Sequence, residues 1–431
     1  MESPIIRKLF VCVFAFGFTL GALRFLFPFQ IVNLGGTEAL ASLGGTYSAI
    51  GQVLGLMLIG RLFRSERRSL AIIGFSVTAF TLTMGLVQDS VLLATCRITE
   101  GIASAVLVLL IVRVSCQFAT CRGESVGTLL AALFLGSAIG QGLVGLLVES
   151  AATSFMIAQK EAIQFLSLLL LVPPVLGMAL APSPTSGPHT KDTAHLNADH
   201  GHVHLSHIVH SLMSKRAVLL AVVYLLYDFS HGLYTPVLSL VVSGNGVPLE
   251  LIGLSYLAGD IVWGLVQLYS GRLVDRLGHV LPLVVSLATK GVVVLLYPTA
   301  TSLYGFVPLL AVAGAAEGFL EPSRNDAAME YSTAKEVVHS HPHVYLSRTS
   351  GASLPLSRHE HEHTHKSAPD EAVSLLQILG IMGFGLGSAG GAWLLVTQAP
   401  LTFLILLGGW VLLATSMISA ALYRRRPSPE M

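Results

Sequence analysis

A chain of 431 residues that is 53% hydrophobic and only 11% charged, with a mean hydropathy of +0.72, is too apolar for a water-soluble globular protein. Its formal net charge of +1 supplies no basic surface for nucleic acid. The four cysteines lie in apolar runs or at their ends and form no disulfide framework; the spacing of Cys116 and Cys121 matches no zinc pattern.

Twelve apolar runs follow one another, at about 9–32, 43–61, 69–88, 90–112, 125–148, 161–181, 217–242, 251–270, 280–298, 302–322, 371–396 and 401–422. Crossing a hydrocarbon layer of about 30 Å takes roughly 20 residues of helix, and runs of this length are too long for barrel strands. The expectation is an all-α integral membrane protein of twelve transmembrane helices. The first run follows Arg7 and Lys8 and continues past Arg24 without a small-residue cleavage site, so it is read as a retained helix.

Orientation follows from the basic residues of the short connections, which stay on the cytoplasmic side. Arg61, Arg64, Arg67, Arg68, Arg122, Lys215, Arg216, Arg272, Arg276, Arg324 and Arg424 to Arg426 fall on one set of ends. The opposite connections hold Glu38, Asp89, Glu149 and Glu250, with Lys160 as their basic exception. Both termini are expected in the cytoplasm, and a plasma or inner membrane is favoured over an organelle membrane.

The second run ends in GRLFRSERRSLAI from Gly60 and the eighth in GRLVDRLGHVLPL from Gly271, so the chain reads as a doubled six-helix unit. The expected organisation is an N-terminal bundle (1–181), a cytoplasmic linker (182–214), a C-terminal bundle (215–423) with an insertion at about 323–369, and a tail (424–431).

Charges inside apolar runs are costly and face a cavity or a partner. At 1.5 Å per residue, Glu100, Asp228, Asp260 and Lys290 all fall near mid-membrane. Arg97 and Glu100, three apart, share a helix face and can pair; Tyr224, Asp228 and His231 share a face of the seventh helix. A carboxylate one turn from a histidine suits proton passage. Arg24, Glu317 and Glu321 add to this polar interior. The alternative is a structural salt bridge of Asp228 or Asp260 with Lys290.

All sixteen histidines except His231 and His279 lie in the central linker or the insertion, among them His200, His202, His204, His207, His359, His361, His363 and His365. Neutral imidazoles are ready ligands for zinc, nickel or copper, and alternating histidines in polar segments give many weak sites rather than one coordination set. No cofactor is otherwise required.

With its doubled turn, the chain resembles the major facilitator superfamily, whose signature between the second and third helices of a half is Gly-x-Leu-x-Asp-Arg-x-Gly. The second copy matches at Gly271, Leu273, Asp275, Arg276 and Gly278; the first keeps Gly60, followed by Arg61 and Leu62, but has Arg64 and Ser65 for Asp-Arg. The resemblance implies that these turns act as a conformational gate. It extends to RITEGIASA (Arg97 to Ala105), and to GSAIGQGLVG (Gly136 to Gly145) and GFGLGSAGGAW (Gly383 to Trp393), similar to the glycine-rich motif of the drug:proton antiporter branch that includes vesicular amine transporters. Gln141 stands where that motif has proline. Gly136, Gly140, Gly145, Gly383, Gly387 and Gly391 are expected to let helices pack backbone to backbone.

In amine-transporting relatives, acids of the first and eleventh helices matter for cation binding; here Arg24 and Gln377 occupy the aligned places, which speaks against a simple monoamine. The resemblance implies a monomeric secondary transporter of a small organic solute that works by alternating access, read as proton-coupled export. Arg24, Arg97, Glu100, Tyr224, Asp228, His231, Asp260, Lys290, Glu317 and Gln377 then line the path. Two other readings remain open: a transporter of a transition-metal ion or chelate with metal-sensing histidine loops, and a non-transporting receptor or scaffold. No nucleotide-binding or nucleophile motif points to an enzyme.

The histidine segments lie outside the apolar runs, whereas a translocation site belongs at the midplane. Deleting His359 to His365 together with His195 to His210 should therefore lower zinc binding in calorimetric titration and leave transport intact. Loss of all transport by a correctly inserted deletion protein would make the loops part of the path.

Overall fold

A computed structural model describes residues 4–62, 66–118, 122–156, 158–180, 215–332, 337–339, 363–365 and 369–424. The N-terminal half contains α1 (Pro4–Asn33), α2 (Glu38–Leu62), α3 (Glu66–Leu86), α4 (Ser90–Phe118), α5 (Arg122–Phe155), α6 (Gln159–Leu169) and α7 (Val172–Leu180). The C-terminal half contains α8 (Lys215–Gly244), α9 (Leu249–Leu277), α10 (Val280–Leu296), a 3-10 turn (Tyr297–Thr299), α11 (Leu303–Ser332), α12 (Pro369–Val396) and α13 (Leu401–Arg424).

Eleven stretches among the described residues are long and apolar enough to cross a membrane, and with α2 they form two six-helix bundles. α2 carries Ser42, Gly44, Gly45, Thr46, Ser48 and Gln52. Its polarity is tolerable because protein covers both its flanks, α4 on one side and α12 on the other.

The sixth crossing is split, whereas its apolar run predicts one helix over 161–181. α6 stops at Leu169, and α7 starts at Val172 with Pro173 and Pro174 in its first turn, where missing N–H groups cost nothing. The tenth crossing runs ten residues beyond the expected end at 322, through Pro322 to Ser332, so the insertion begins after 332. In that insertion β1 (Val337–His339) pairs antiparallel with β2 (His363–His365), placing His339 opposite His363. The sequence predicts no strand there, because histidine alternation carries no apolar face. The other candidate ligands, His200, His202, His204, His207, His359 and His361, lie outside the described residues, as do the side chains of His363 and His365.

The sequence repeat returns as a repeat of packing. In each half the first helix packs along the fifth and the second along the fourth: α1 with α5 and α2 with α4, then α8 with α12 and α9 with α11. Glycine makes the first of these pairs close. A Cβ on Gly136 or Gly140 would overlap the Phe14 or Phe18 carbonyl of α1, and one on Gly383 or Gly387 the Leu225 or Phe229 carbonyl of α8. The other two glycines of these motifs serve the contact between halves, Gly145 against Leu249 and Gly253, and Gly391 against Ser42.

Among the described residues the halves meet along two pairs of helices, α5 with α9 and α2 with α12. Along α5 and α9 the seam runs from Gly145 with Gly253, through Gly142 with Leu257 and Gln141 with Asp260, to Phe134 with Trp263, whose rings are 4.5 Å apart. Beyond it, towards the arginine-bearing turn, a Cβ on Gly264 or Gly271 would meet nothing within 4 Å. On the opposite side Ser42 and Thr46 of α2 donate to the Ser388 and Gly385 carbonyls of α12 at 2.9 and 3.0 Å.

The turn after α9 is built by Gly278, whose φ of +74° favours glycine, and by buried His279, 3.2 Å from Asp326 of α11. Arg276 is exposed. The side chains of Arg61 and Asp275 lie outside the described residues, as does that part of the gate expectation which rests on them; Gly60 sits in the last turn of α2.

Gly140→Val and Gly387→Val should each destabilise the detergent-solubilised protein by about 1–3 kcal/mol or more, seen as a melting temperature lowered by several degrees. Gly264→Ala, which fills open space within a helix, should leave it unchanged or raise it.

Candidate functional site

The first charged cluster belongs wholly to the N-terminal half. Glu100 of α4 is fully buried and accepts hydrogen bonds from Arg24 Nε (2.6 Å), Ser48 Oγ (2.6 Å), Ser104 Oγ (3.0 Å) and an Arg97 terminal nitrogen (3.4 Å). Such a carboxylate is tolerated away from water because donors surround it. Arg24 also donates to Ser104 at 2.7 Å, and Arg97 lies over the Phe27 ring at 4.6 Å. Two guanidiniums therefore share one carboxylate, and the Arg24 side chain stays 42% exposed.

The second cluster is built by α8, α10 and α11. Glu317 accepts from Lys290 Nζ and from the Tyr227 hydroxyl, and Lys290 also donates to that hydroxyl at 3.0 Å. His231 Nε2 stands 4.0 Å from Glu317, and its ring lies between those of Tyr227 and Tyr234, at 4.8 and 5.4 Å. Arg324 donates to Asp228 at 2.8 Å and approaches Glu321 at 3.5 Å. Its guanidinium lies over Tyr224 at 4.0 Å and Tyr227 at 4.5 Å, so Tyr227 joins the two parts of the cluster.

Three expectations change here. Arg324 is no cytoplasmic-end arginine: the α11 helix carries it inward, 6% exposed, as the partner of Asp228. A buried carboxylate needs a cation, and this one is close enough to supply it. Lys290 pairs with Glu317 rather than with Asp228 or Asp260. Asp228 and His231 face different partners, Arg324 and Glu317, because residues four apart overlie each other better than residues three apart; Tyr227, not Asp228, stacks with His231.

Asp260 of α9 stands apart from both clusters. Among the described residues it makes no ion pair; Gln141 Nε2 of α5 donates to its Oδ2 at 3.3 Å across the seam. Gln141 also contacts Ser137 at 3.3 Å. Around it lie Tyr256, edge-on to Phe25 of α1 at 6.0 Å, and Trp263 against Phe134. Gln377 is exposed on α12, one turn from Gly380, where a Cβ would meet Asp228.

Four buried polar atoms of the two clusters lack a hydrogen-bond partner: Arg97 Nε, Arg324 Nε, His231 Nε2 and the Tyr224 hydroxyl. Among the described residues no three His, Cys, Asp or Glu side chains are placed to hold a metal ion. Sequence reasoning missed Tyr227, Ser48, Ser104 and the role of Arg324. For Tyr227 the four-residue spacing to His231 was a usable signal; Ser48 and Ser104 had none, since a serine in a transmembrane helix is unremarkable until a charge faces it.

Two six-helix bundles with charges paired at mid-depth make a membrane transport protein rather than an enzyme in the usual sense. The family model of the Major Facilitator Superfamily matches residues 9–340, and the chain belongs to that superfamily. A solved structure of a POT family transporter in complex with a thioalcohol-conjugated peptide is similar in fold, with a TM-score of 0.67 and 10% identity, covering 97% of this chain and 96% of that one. No curated protein matches the sequence. The chain is thus a multi-pass membrane protein, in contact with lipid and with a small-molecule substrate.

Removing one member of the Asp228–Arg324 pair leaves the other charge buried. Arg324→Leu should cost about 3–5 kcal/mol of stability, and adding Asp228→Asn should restore much of it. Equal melting temperatures for the single and double variants would show that the pair is not coupled.

Proposed function

We propose that the protein is a proton-coupled secondary transporter that exports a small, charged or strongly polar organic solute by alternating access. The carrying observation is the disposition of charge near the middle of the apolar runs. Two cations face one carboxylate in the N-terminal half, whereas Asp228, Glu317 and Glu321 face Lys290 and Arg324 in the other, and Asp260 stands apart, bonded by Gln141. A static bundle has no need of such an excess, because hydrocarbon makes each unbalanced charge expensive. A solute bearing complementary charge would offset it, and the unpartnered atoms of Arg97, Arg324, His231 and Tyr224 offer it hydrogen bonds.

Coupling then follows from competition. Asp228 and Glu317 each hold a cation of the protein's own, so a proton arriving at either carboxylate loosens Arg324 or Lys290 and alters what the site offers the solute. His231, beside Glu317, is placed to pass that proton. Arg24, partly exposed, is the contact for an anionic group of the solute. The positive-inside pattern favours a cytoplasmic place for the arginine-bearing turns and both termini, and export is read as loading from within and release outside. The glycine motifs of α5 and α12 favour the drug:proton antiporter branch, a plasma or inner membrane, and a monomer. The histidine loops are read as weak zinc, nickel or copper ligands that modulate transport without forming its path.

Proteoliposome flux of cationic, anionic and zwitterionic solutes, measured with and without a pH gradient, tests this reading. Asp228→Asn should abolish gradient-driven accumulation while the protein remains inserted, and Arg24→Gln should raise the half-saturating concentration about tenfold or more. Unaltered pH dependence in Asp228→Asn rejects its role in coupling; flux of no solute under any gradient favours the receptor reading.

A further inference from the structure

The seam between the halves carries two kinds of polar contact. Ser42 and Thr46 donate to backbone carbonyls, whose acceptor strength does not change with pH. Gln141 donates to a carboxylate, and among the described residues this is the side-chain pair that joins one half to the other by a hydrogen bond. The glutamine stands where the antiporter-like motif has proline, so it is a particular of this chain. Its position in the ladder of seam contacts matters too. Gly142–Leu257 and Gly145–Gly253 lie to one side of it and Phe134–Trp263 to the other.

We infer that Gln141 is a positioning residue that reads the charge of Asp260 and so ties closure of the face away from the arginine-bearing turns to proton binding. Ionised, Asp260 accepts a charge-assisted bond that holds α5 against α9. When a proton from the aqueous interior adds to an Asp260 carboxylate oxygen, an O–H bond forms, the charge is lost, and the bond from Gln141 falls to the strength of a neutral one. The seam has then lost a polar hold and the halves part there more readily. Among the described residues Gln141 from α5, itself held by Ser137, bonds Asp260, and Tyr256 on its own helix and Glu317 from α11 lie within electrostatic reach. None of these is a cation, so no ion pair among the described residues competes with the incoming proton. This inference rests on the proposed alternating-access function but assigns the coupling of gate to proton to a place outside both charged clusters.

The test uses the full chain in lipid nanodiscs, with the four native cysteines replaced by serine and spin labels on Ser154→Cys and Gly244→Cys. These positions are exposed at the ends of α5 and α8 on the closed face. Pulsed electron resonance should show a longer-distance population that grows as pH falls. Gln141→Leu should raise that population about threefold to tenfold at high pH and flatten its pH response. Asp260→Asn, which cannot ionise, should likewise abolish the response. Gln141→Glu keeps the size and sets two carboxylates side by side that must share a proton, so the pH of half-conversion should move up by about one unit or more. It also carries the test should the leucine variant not fold. A wild-type pH response in Gln141→Leu, or an unmoved midpoint in Gln141→Glu, overturns the inference. If the distances respond as described but no pH gradient drives flux, the latch stands and the proposed transport reading fails; proton-driven flux with an unresponsive seam overturns the latch and leaves the transport reading standing.

Discussion

Charge in hydrocarbon must be balanced where it stands, and in this protein the balance is struck inside each half. Arg24, Arg97 and Glu100 close one network within α1 and α4, and Lys290, Glu317, Arg324, Asp228 and Glu321 close another within α8, α10 and α11. Among the described residues no ion pair crosses between the halves. At the described residues, parting the halves therefore breaks no salt bridge, whose rupture away from water would cost several kcal/mol. The same partition leaves one more cation than carboxylate in the first network and one more carboxylate than cation in the second.

Glycine lies where helices approach most closely, both within each half and at the seam. Gly136 and Gly140 against α1, and Gly383 and Gly387 against α8, bring backbones so close that a methyl group would not fit, which makes each half a packed unit. At the seam glycine also brings backbones together, Gly253 against the Gln141 carbonyl and Gly145 against that of Leu249, beside the Phe134–Trp263 and Phe25–Tyr256 ring pairs. Polar contacts there are few: hydroxyls on carbonyls, and one amide on one carboxylate.

Much of the candidate site is legible in the sequence because intramembrane charge is rare enough to stand out by itself. Glu100 pairs with Arg97 by spacing along one helix, and counting 1.5 Å rises places Lys290 and Asp260 at mid-depth. Partnerships between helices are not legible in this way. Arg324 reads as an anchoring arginine beyond Pro322, because the apolar run ends there, yet the helix continues ten residues past 322 and turns the guanidinium onto Asp228. Lys290 has several carboxylates within conceivable reach, and only the packing of α10 on α11 selects Glu317. The split of the sixth crossing is signalled by Pro173 and Pro174 but hidden by uninterrupted hydropathy.

The sequence by itself determined the membrane class, the twelve crossings, the repeat and the mid-run places of Glu100, Asp228, Asp260 and Lys290, because these depend on local quantities: apolar run length, turn composition and helical rise. Only the tertiary structure decided which charges meet, that Arg324 turns inward, that Tyr227 joins the two parts of the C-terminal cluster, and that Gln141 reaches Asp260 from the other half. Those facts depend on the relative rotation of helices about their axes. That rotation is set by side chains packing across long stretches of sequence, such as the 119 positions between Gln141 and Asp260, a coupling that no local pattern along the chain records.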